Sequence, residues 1–271
     1  MSTSQRRVSS FTFKNMSTPQ TIDLTPWDIQ RPEKVRWLYD LSAPDILSTI
    51  KSRTLTKLLR NADELLARYD VTYQHRLLDK QLYAEWWQHY HQKMISKRYD
   101  IIATEDWFAQ KMAEGKKVYG FFFYHQEKLC GTILYVQKET TFTATFKTSS
   151  EIPGLTKKHR SLGAIIDFIF LREALKQRPT SLSLGSMRNA FGVINSLGNL
   201  EYKLNMGYVP VPKEDTSFLT SVPVAEDGRG VFFGVKDGKL QLFCLKRFGD
   251  PDNFEFERFD SDRIPVNVIT Y

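Results

Sequence analysis

Apolar and polar positions alternate along this chain with a period that changes several times. Residues 45–67 carry Leu47, Ile50, Leu55, Leu58, Leu59, Leu65 and Leu66 in a broken 3.6-residue period, which predicts a helix. A short strand is expected over Val71–Arg76. From Asp79 to Ile95, Leu82, Trp86, Tyr90 and Met94 recur every four residues and share one helical face. A shorter helix is expected from Thr104, a good cap, to Glu114, with Gly115 as its stop. The period then drops to two. VYGFFFYH (118–125), LCGTILYVQ (129–137) and TTFTATFKT (140–148) are joined by short polar connections and predict an antiparallel meander. In its third strand Phe142, Ala144 and Phe146 alternate with Thr143, Thr145 and Lys147, so the first three are expected on one buried face.

Pro153 and Gly154 interrupt that pattern. A long helix follows from about Arg160 to Gln177, with Ile165, Ile166, Ile169, Phe170 and Leu175 buried and Pro179 ending it. SLSLG (181–185) reads as a buried strand, residues 189–206 as partly helical, and Tyr208–Val211 as a strand. VFFGV (231–235) and LQLFCLK (240–246) form a hairpin turned through Asp237–Gly238. The order of elements gives an α+β fold with a mixed, mostly antiparallel sheet flanked by helices. Residues 1–18 are expected as a disordered tail and 19–70 as an irregular, partly helical N-terminal extension. The main domain spans 71–212, and 213–271 is a C-terminal extension holding the hairpin. The last 25 residues carry no clear pattern.

The net charge of +7 favours anionic partners without choosing among nucleotides, nucleic acid and lipid headgroups. Basic residues are scattered, and a basic solvated surface accounts for them as well. The two cysteines, Cys130 and Cys244, lie in apolar strand-like segments and read as buried thiols of a reducing compartment. No apolar run is long enough to span a bilayer. The tail lacks the apolar stretch of a secretory signal, though Arg6 and Arg7 also fit a transit peptide. A cytoplasmic protein is expected. No histidine or cysteine spacing suggests a metal: His89 and His91 point to different faces of their helix.

The junction KKHRSLGAIIDF (157–168) is the first candidate for chemistry. A basic loop of Lys157, Lys158, His159 and Arg160 leads into a helix with Gly163 in its first turn. Unpaired N–H groups and the positive helix end favour an anion there, and a small residue lets a phosphate approach. Many helices also start after basic loops without binding anything. Downstream, Tyr202 and Lys203 precede Gly207–Tyr208. Lys203 is either a functional cation or a surface lysine at a helix end. Tyr202 is either an acid or a core residue. Arg188 and Asn189 follow the SLSLG strand, where a guanidinium can hold a carboxylate bidentately, or where a solvated turn is equally at home. Glu105, Glu127, Glu151, His125 and His159 are candidate proton acceptors by position alone.

Arg160-Ser-Leu-Gly163-Ala164-Ile165 resembles the Gln/Arg-x-x-Gly-x-Gly/Ala signature of the GNAT superfamily of N-acyltransferases, with Ile165 in the last position. Lys203-Leu-Asn-Met-Gly207-Tyr208 resembles the Tyr-x-x-x-Gly-Phe motif of the same superfamily, with lysine in the tyrosine slot. That departure, together with LSLGSMRN and EYKLNMGY, is similar to the Fem-type branch, the aminoacyl transferases of peptidoglycan synthesis and their relatives. The resemblance covers about residues 71–212. It implies a GNAT-like fold in which two strands splay into a slot for acyl-CoA or acetyl-CoA. The donor's pyrophosphate would rest on Lys158, His159, Arg160, Ser161, Leu162, Gly163 and Ala164. It implies Lys203 and Tyr202 as catalytic groups, Arg188 and Asn189 at the substrate, and no metal. The acceptor would be the primary amine of a small molecule or amino acid. Two alternatives stand beside this: a Fem-like transferase using aminoacyl-tRNA, and a GNAT-like binding module without catalysis. Fem enzymes usually carry two such units, and this chain has room for one.

Overall fold

The structure, a computed structural model, describes residues 20–97, 101–155, 161–249, 259 and 264–271. The expected N-terminal tail, together with Lys158, His159 and Arg160, lies outside the described residues. In chain order the elements are β1 (Thr21–Asp23), β2 (Arg31–Pro32), β3 (Lys34–Leu38), α1 (Arg53–Arg60), α2 (Ala62–Arg68), β4 (Val71–Leu77), α3 (Lys80–Lys97), α4 (Trp107–Ala113), β5 (Lys117–His125), β6 (Lys128–Lys138) and β7 (Thr141–Ser149). They continue with α5 (Leu162–Leu175), β8 (Ser181–Arg188), α6 (Leu197–Asn205), β9 (Val209–Pro212), β10 (Phe218–Leu219), β11 (Ser221–Pro223), β12 (Gly230–Lys236), β13 (Lys239–Lys246) and β14 (Val266–Thr270).

The meander forms as expected and supplies three strands of a seven-stranded sheet of order β4-β5-β6-β7-β8-β3-β9. Every neighbouring pair is antiparallel except β7 and β8. Period-two alternation in β5 sends Phe121 and Phe123 to one face and Val118 and Phe122 to the other. The first face packs against α1, α2 and α5, and the second against α3 and α4. The fold is α+β and GNAT-like, with a mostly antiparallel sheet flanked by helices and with both termini extended.

Three expectations change. The extension expected over 19–70 is not merely irregular and helical, and the main sheet does not begin at residue 71, because β3 sits inside that sheet between β8 and β9. Its Val35 and Trp37 are fully buried, but one five-residue strand among four prolines is too short to announce itself by period. The helix expected over 45–67 is a 3-10 turn at Leu47–Thr49 followed by α1 and α2, which meet at Asn61. Finally, Phe142, Ala144 and Phe146 do not share a face. The pairing of β6 with β7 runs Leu134↔Phe146 and then Tyr135↔Ala144, so Thr145 is an extra residue in β7. This bulge reverses the alternation beyond it. Phe142 and Ala144 face α5, and Phe146 faces α3 and α4.

The C-terminal extension forms a second sheet of order β12-β13-β14. The hairpin expected through Asp237–Gly238 is present, with both residues at positive φ, as a type I′ turn requires. β14 adds in parallel to β13. Cys130 and Cys244 are both buried, and no disulfide joins them. Among the described residues no helix is long and apolar enough to cross a membrane.

Candidate functional site

β7 and β8 pair in parallel only through Thr141↔Ser181, Phe142↔Leu182 and Thr143↔Ser183. Beyond that point β7 pairs with β6 alone and β8 with β3 alone. The strands part at two facing irregularities. One is the Thr145 bulge. The other is in β8, where the register with β3 slips between Arg36 and Leu38 and Gly185 holds a φ of 75°. A Cβ at Gly185 would stand 2.8 Å from the Ala144 carbonyl oxygen, so glycine is required both by φ and by this close approach. Bulges bend the strands that carry them, and here each strand bends at the same level.

The resulting groove is a cavity of about 270 Å³. β7 contributes Ala144 to Lys147, β8 contributes Leu184, Ser186 and Met187, and the helices close it with Asp167 from α5 and Asn199, Tyr202 and Lys203 from α6. The bulge matters to its chemistry. Lys147, which an unbroken alternation would turn away from α5, reaches that helix and pairs with Asp167 Oδ2 at 2.5 Å. Lys147 Nζ also donates to the Gly163 carbonyl at 3.4 Å. The Tyr202 hydroxyl donates to the same Asp167 oxygen at 2.7 Å.

Asp167 is only 1% exposed, yet its other oxygen, Oδ1, is buried with no hydrogen-bond partner among the described residues. The Tyr208 hydroxyl, also buried, finds no partner among the described residues either. Burial holds both the Tyr202 and Tyr208 phenols well above their ordinary range, and the Asp167 carboxylate adds to this. Sequence reasoning passed over Asp167. It is the one charged residue in the apolar run Gly163–Leu171, and that isolation is the signal that marks it.

Lys203 is set by the end of α6. The Tyr208 N–H bonds to the Lys203 carbonyl and the Gly207 N–H to the Leu204 carbonyl, with Gly207 at φ 80°. These are the two bonds of a Schellman cap. The spacing Lys-x-x-x-Gly-aromatic thus fixes Lys203 on the third helical residue from the cap. Gly207 also lies against Thr49, whose carbonyl a Cβ would meet at 2.4 Å. Lys203 is 7% exposed, which rules out a solvated helix-end lysine. Its ammonium has no hydrogen-bond acceptor among the described residues and stands 5.3 Å from the centre of the Trp37 ring. Burial brings its pKa down to about 7, opposed by Asp167 and assisted by Lys147.

At the other end of the groove, α5 starts after Ser161, whose side chain makes no capping bond to the helix. The first-turn N–H groups of Leu162 and Gly163 are therefore not capped by it. A Cβ at Gly163 would meet the hydroxyls of Ser149 and Ser161 at 3.3 Å, so glycine here allows the first turn to lie against the end of β7. Ala164 is buried behind it. Ile165, in the last motif position, is fully buried in the core and turns away from the groove.

The remaining candidates lie elsewhere. β8 runs to Arg188 rather than ending at Gly185, so Arg188 and Asn189 do not follow the strand into a ligand-facing turn. Arg188 is exposed and does not line the groove. Asn189 is fully buried. Its amide donates to the carbonyls of Pro32 and Phe233 and accepts from the Phe233 N–H. The structure gives it the task of tying the two sheets together, in place of the substrate contact expected of it. Glu105, Glu127 and Glu151 are exposed, and neither they nor His125 line the groove. Among the described residues no group of three or more His, Cys, Asp or Glu is placed to hold a metal ion.

No family model matches the chain, and no curated protein matches it. Among solved structures, it is similar to FemX at 9% identity with a TM-score of 0.48, over 71% of this chain and 62% of that one. It is also similar to a conserved protein of unknown function from Bacteroides thetaiotaomicron at 14% identity and a TM-score of 0.45, over 75% of this chain and 62% of that one. For a tandem GNAT protein from the clavulanic acid biosynthesis pathway the figures are 11% and 0.39, over 69% of this chain and 53% of that one. The chain therefore spans less than two thirds of the length of each of these proteins.

Proposed function

We propose that the protein is an N-acyltransferase that moves an acyl group from an acyl-CoA thioester to the primary amine of a small molecule or amino acid. The observation that carries this reading is Lys203, a buried lysine with a pKa of about 7 lining a groove between two parting strands. Direct attack by an amine needs a group that takes a proton from the nucleophile and returns one to the leaving thiolate, and such a group works best with a pKa near the working pH. Lys203 as the free amine accepts the proton when the acceptor nitrogen bonds to the thioester carbonyl carbon. As the ammonium it protonates the thiolate when the carbon–sulfur bond breaks. Tyr202 shares this neighbourhood, but its proton is committed to Asp167, so we assign it an orienting role. The extra residue Thr145, left out of the β6–β7 ladder, offers a backbone N–H to the developing oxyanion.

The donor fits by two features of the chain. The open edges of β7 and β8 accept a pantetheine amide, and the uncapped first turn of α5, with Ser161, Leu162, Gly163 and Ala164, accepts the pyrophosphate. Lys158, His159 and Arg160 supply positive charge next to that turn in the sequence. A second reading, an aminoacyl-tRNA donor, is favoured by the net charge of +7.

The test combines thermal shift with acetyl-CoA and a long-chain acyl-CoA and thiol release in the presence of a panel of amines. Stabilisation with thiol release that Lys203→Met abolishes, while binding persists, supports transfer from CoA. Binding without thiol release points to a module without catalysis. Absence of any stabilisation sinks the CoA reading, and stabilisation by aminoacyl-tRNA in its place selects the second.

A further inference from the structure

Lys203 does not act in isolation, because a buried carboxylate with a spare oxygen lies in the same groove. Asp167 Oδ2 takes two donors, Lys147 and Tyr202, and Oδ1 takes none from the described residues. A buried ionised oxygen without a donor is costly, and the site must find one when it can. Lys203 lines the same groove of about 270 Å³ as Asp167 and Lys147, so it stands within reach of their charges. On the other side, the Lys147 ammonium is held at the groove by the same carboxylate and by the Gly163 carbonyl.

We propose that Asp167 and Lys147 are positioning residues that set the charge of Lys203 in opposite directions, with Asp167 Oδ1 receiving the Lys203 ammonium once it has gained its proton. Neither touches the reacting atoms. Asp167 favours the charged form of Lys203, Lys147 opposes it, and their mutual ion pair balances the two. Among the described residues, the groups that face Lys203 are few. They are Asp167 on α5, Lys147 on β7, Tyr202 beside it on α6, Tyr208 after the cap, and the Trp37 ring of β3. Tyr39 packs edge-on against Tyr208 at 6.2 Å. Both phenols are held neutral, so the carboxylate and the two lysines carry all the charge that matters.

This arrangement makes a prediction of sign that mere packing does not. Removing the carboxylate also releases Lys147 from its partner, and both changes push Lys203 towards the neutral amine. Removing Lys147 also frees the full carboxylate charge, and both changes push Lys203 towards the ammonium. The kinetic role rests on Lys203 being the proton carrier proposed above, whereas its titration does not.

The experiment is an NMR titration of the lysine side-chain carbons in the full chain, with the Lys203 resonance assigned through Lys203→Met. The wild type is expected to titrate near pH 7. Asp167→Asn is expected to move the midpoint down by about one pH unit, and Lys147→Met to move it up by a similar amount. Should Asp167→Asn fail to fold, Lys147→Met decides the matter by its upward shift. Midpoints that coincide with the wild type, or that move in the same direction in both variants, overturn the proposal. If turnover is found, its acid limb should follow the same shifts. If no turnover is found, the titration still stands or falls alone, which separates this inference from the reading of the enzyme.

Discussion

β7 and β8 build two different environments from one pair of strands. In the joined half, Thr141–Thr143 and Ser181–Ser183 hold the centre of the sheet, and Phe142 and Leu182 are each 1% exposed among core residues. In the parted half, one residue further along, the walls carry Thr145, Lys147 and Ser186, and the helices bring a carboxylate, a phenol and a lysine to the gap. The joined half gains from burial of apolar area. The parted half keeps buried polar groups incompletely paired, which lowers stability and leaves them available for a ligand or a proton. Two bulges, at Thr145 and around Gly185, mark the border.

If that division is right, the largest effects in the two halves have opposite signs. Phe142→Ala in the joined half removes a buried ring and is expected to destabilise by about 3–5 kcal/mol in urea unfolding, while the Lys203 titration stays where it was. Lys203→Met in the parted half is expected to stabilise the protein at pH 6 by up to about 4 kcal/mol. The sign follows from linkage. Between pH 7 and the ordinary lysine value of 10.5, the unfolded chain holds a proton on Lys203 that the folded chain does not, so wild-type stability rises with pH across that window. Below pH 7 both states hold it and the full penalty is present. The advantage of Lys203→Met over wild type should therefore shrink from pH 6 to pH 10, and an advantage constant with pH would place Lys203 in a well-solvated site.

Smaller effects refine the border. Tyr202→Phe takes one of two donors from Asp167 Oδ2 and is expected to cost about 1–3 kcal/mol in thermal unfolding. Arg188→Ala, at the exposed end of β8, should change stability by no more than about 0.5 kcal/mol and leave CoA binding intact. A large loss of binding in Arg188→Ala would show that the ligand-facing surface extends beyond the groove.

The parts of the site differ in how readable they were. The Gly207–Tyr208 pair is a local helix stop, and local chemistry placed Lys203 at its fixed distance before it. The helix start at Gly163 was legible for the same reason. Asp167 left a trace, a single charge in an apolar helix, but its partner Lys147 left a misleading one. Strict alternation puts Lys147 on the face away from α5, and only the bulge at Thr145 turns it round. Asn189 misled in another way. A polar residue after a strand suggests a ligand contact, whereas its amide is spent on the backbone of Pro32 and Phe233, far away in sequence.

The sequence by itself determined the order of helices and strands from β4 to β9, the meander, the helix start at Gly163 and the cap that sets Lys203, because periodicity and capping depend on residues a few positions apart. Only the tertiary structure decided that β3 enters the sheet, that β7 and β8 part at facing bulges, and that Lys147, Asp167, Tyr202 and Lys203 meet there. Those outcomes depend on which strand pairs with which and on one extra residue in a ladder. Such pairings are fixed by packing across the whole core, and no local window of the chain contains them.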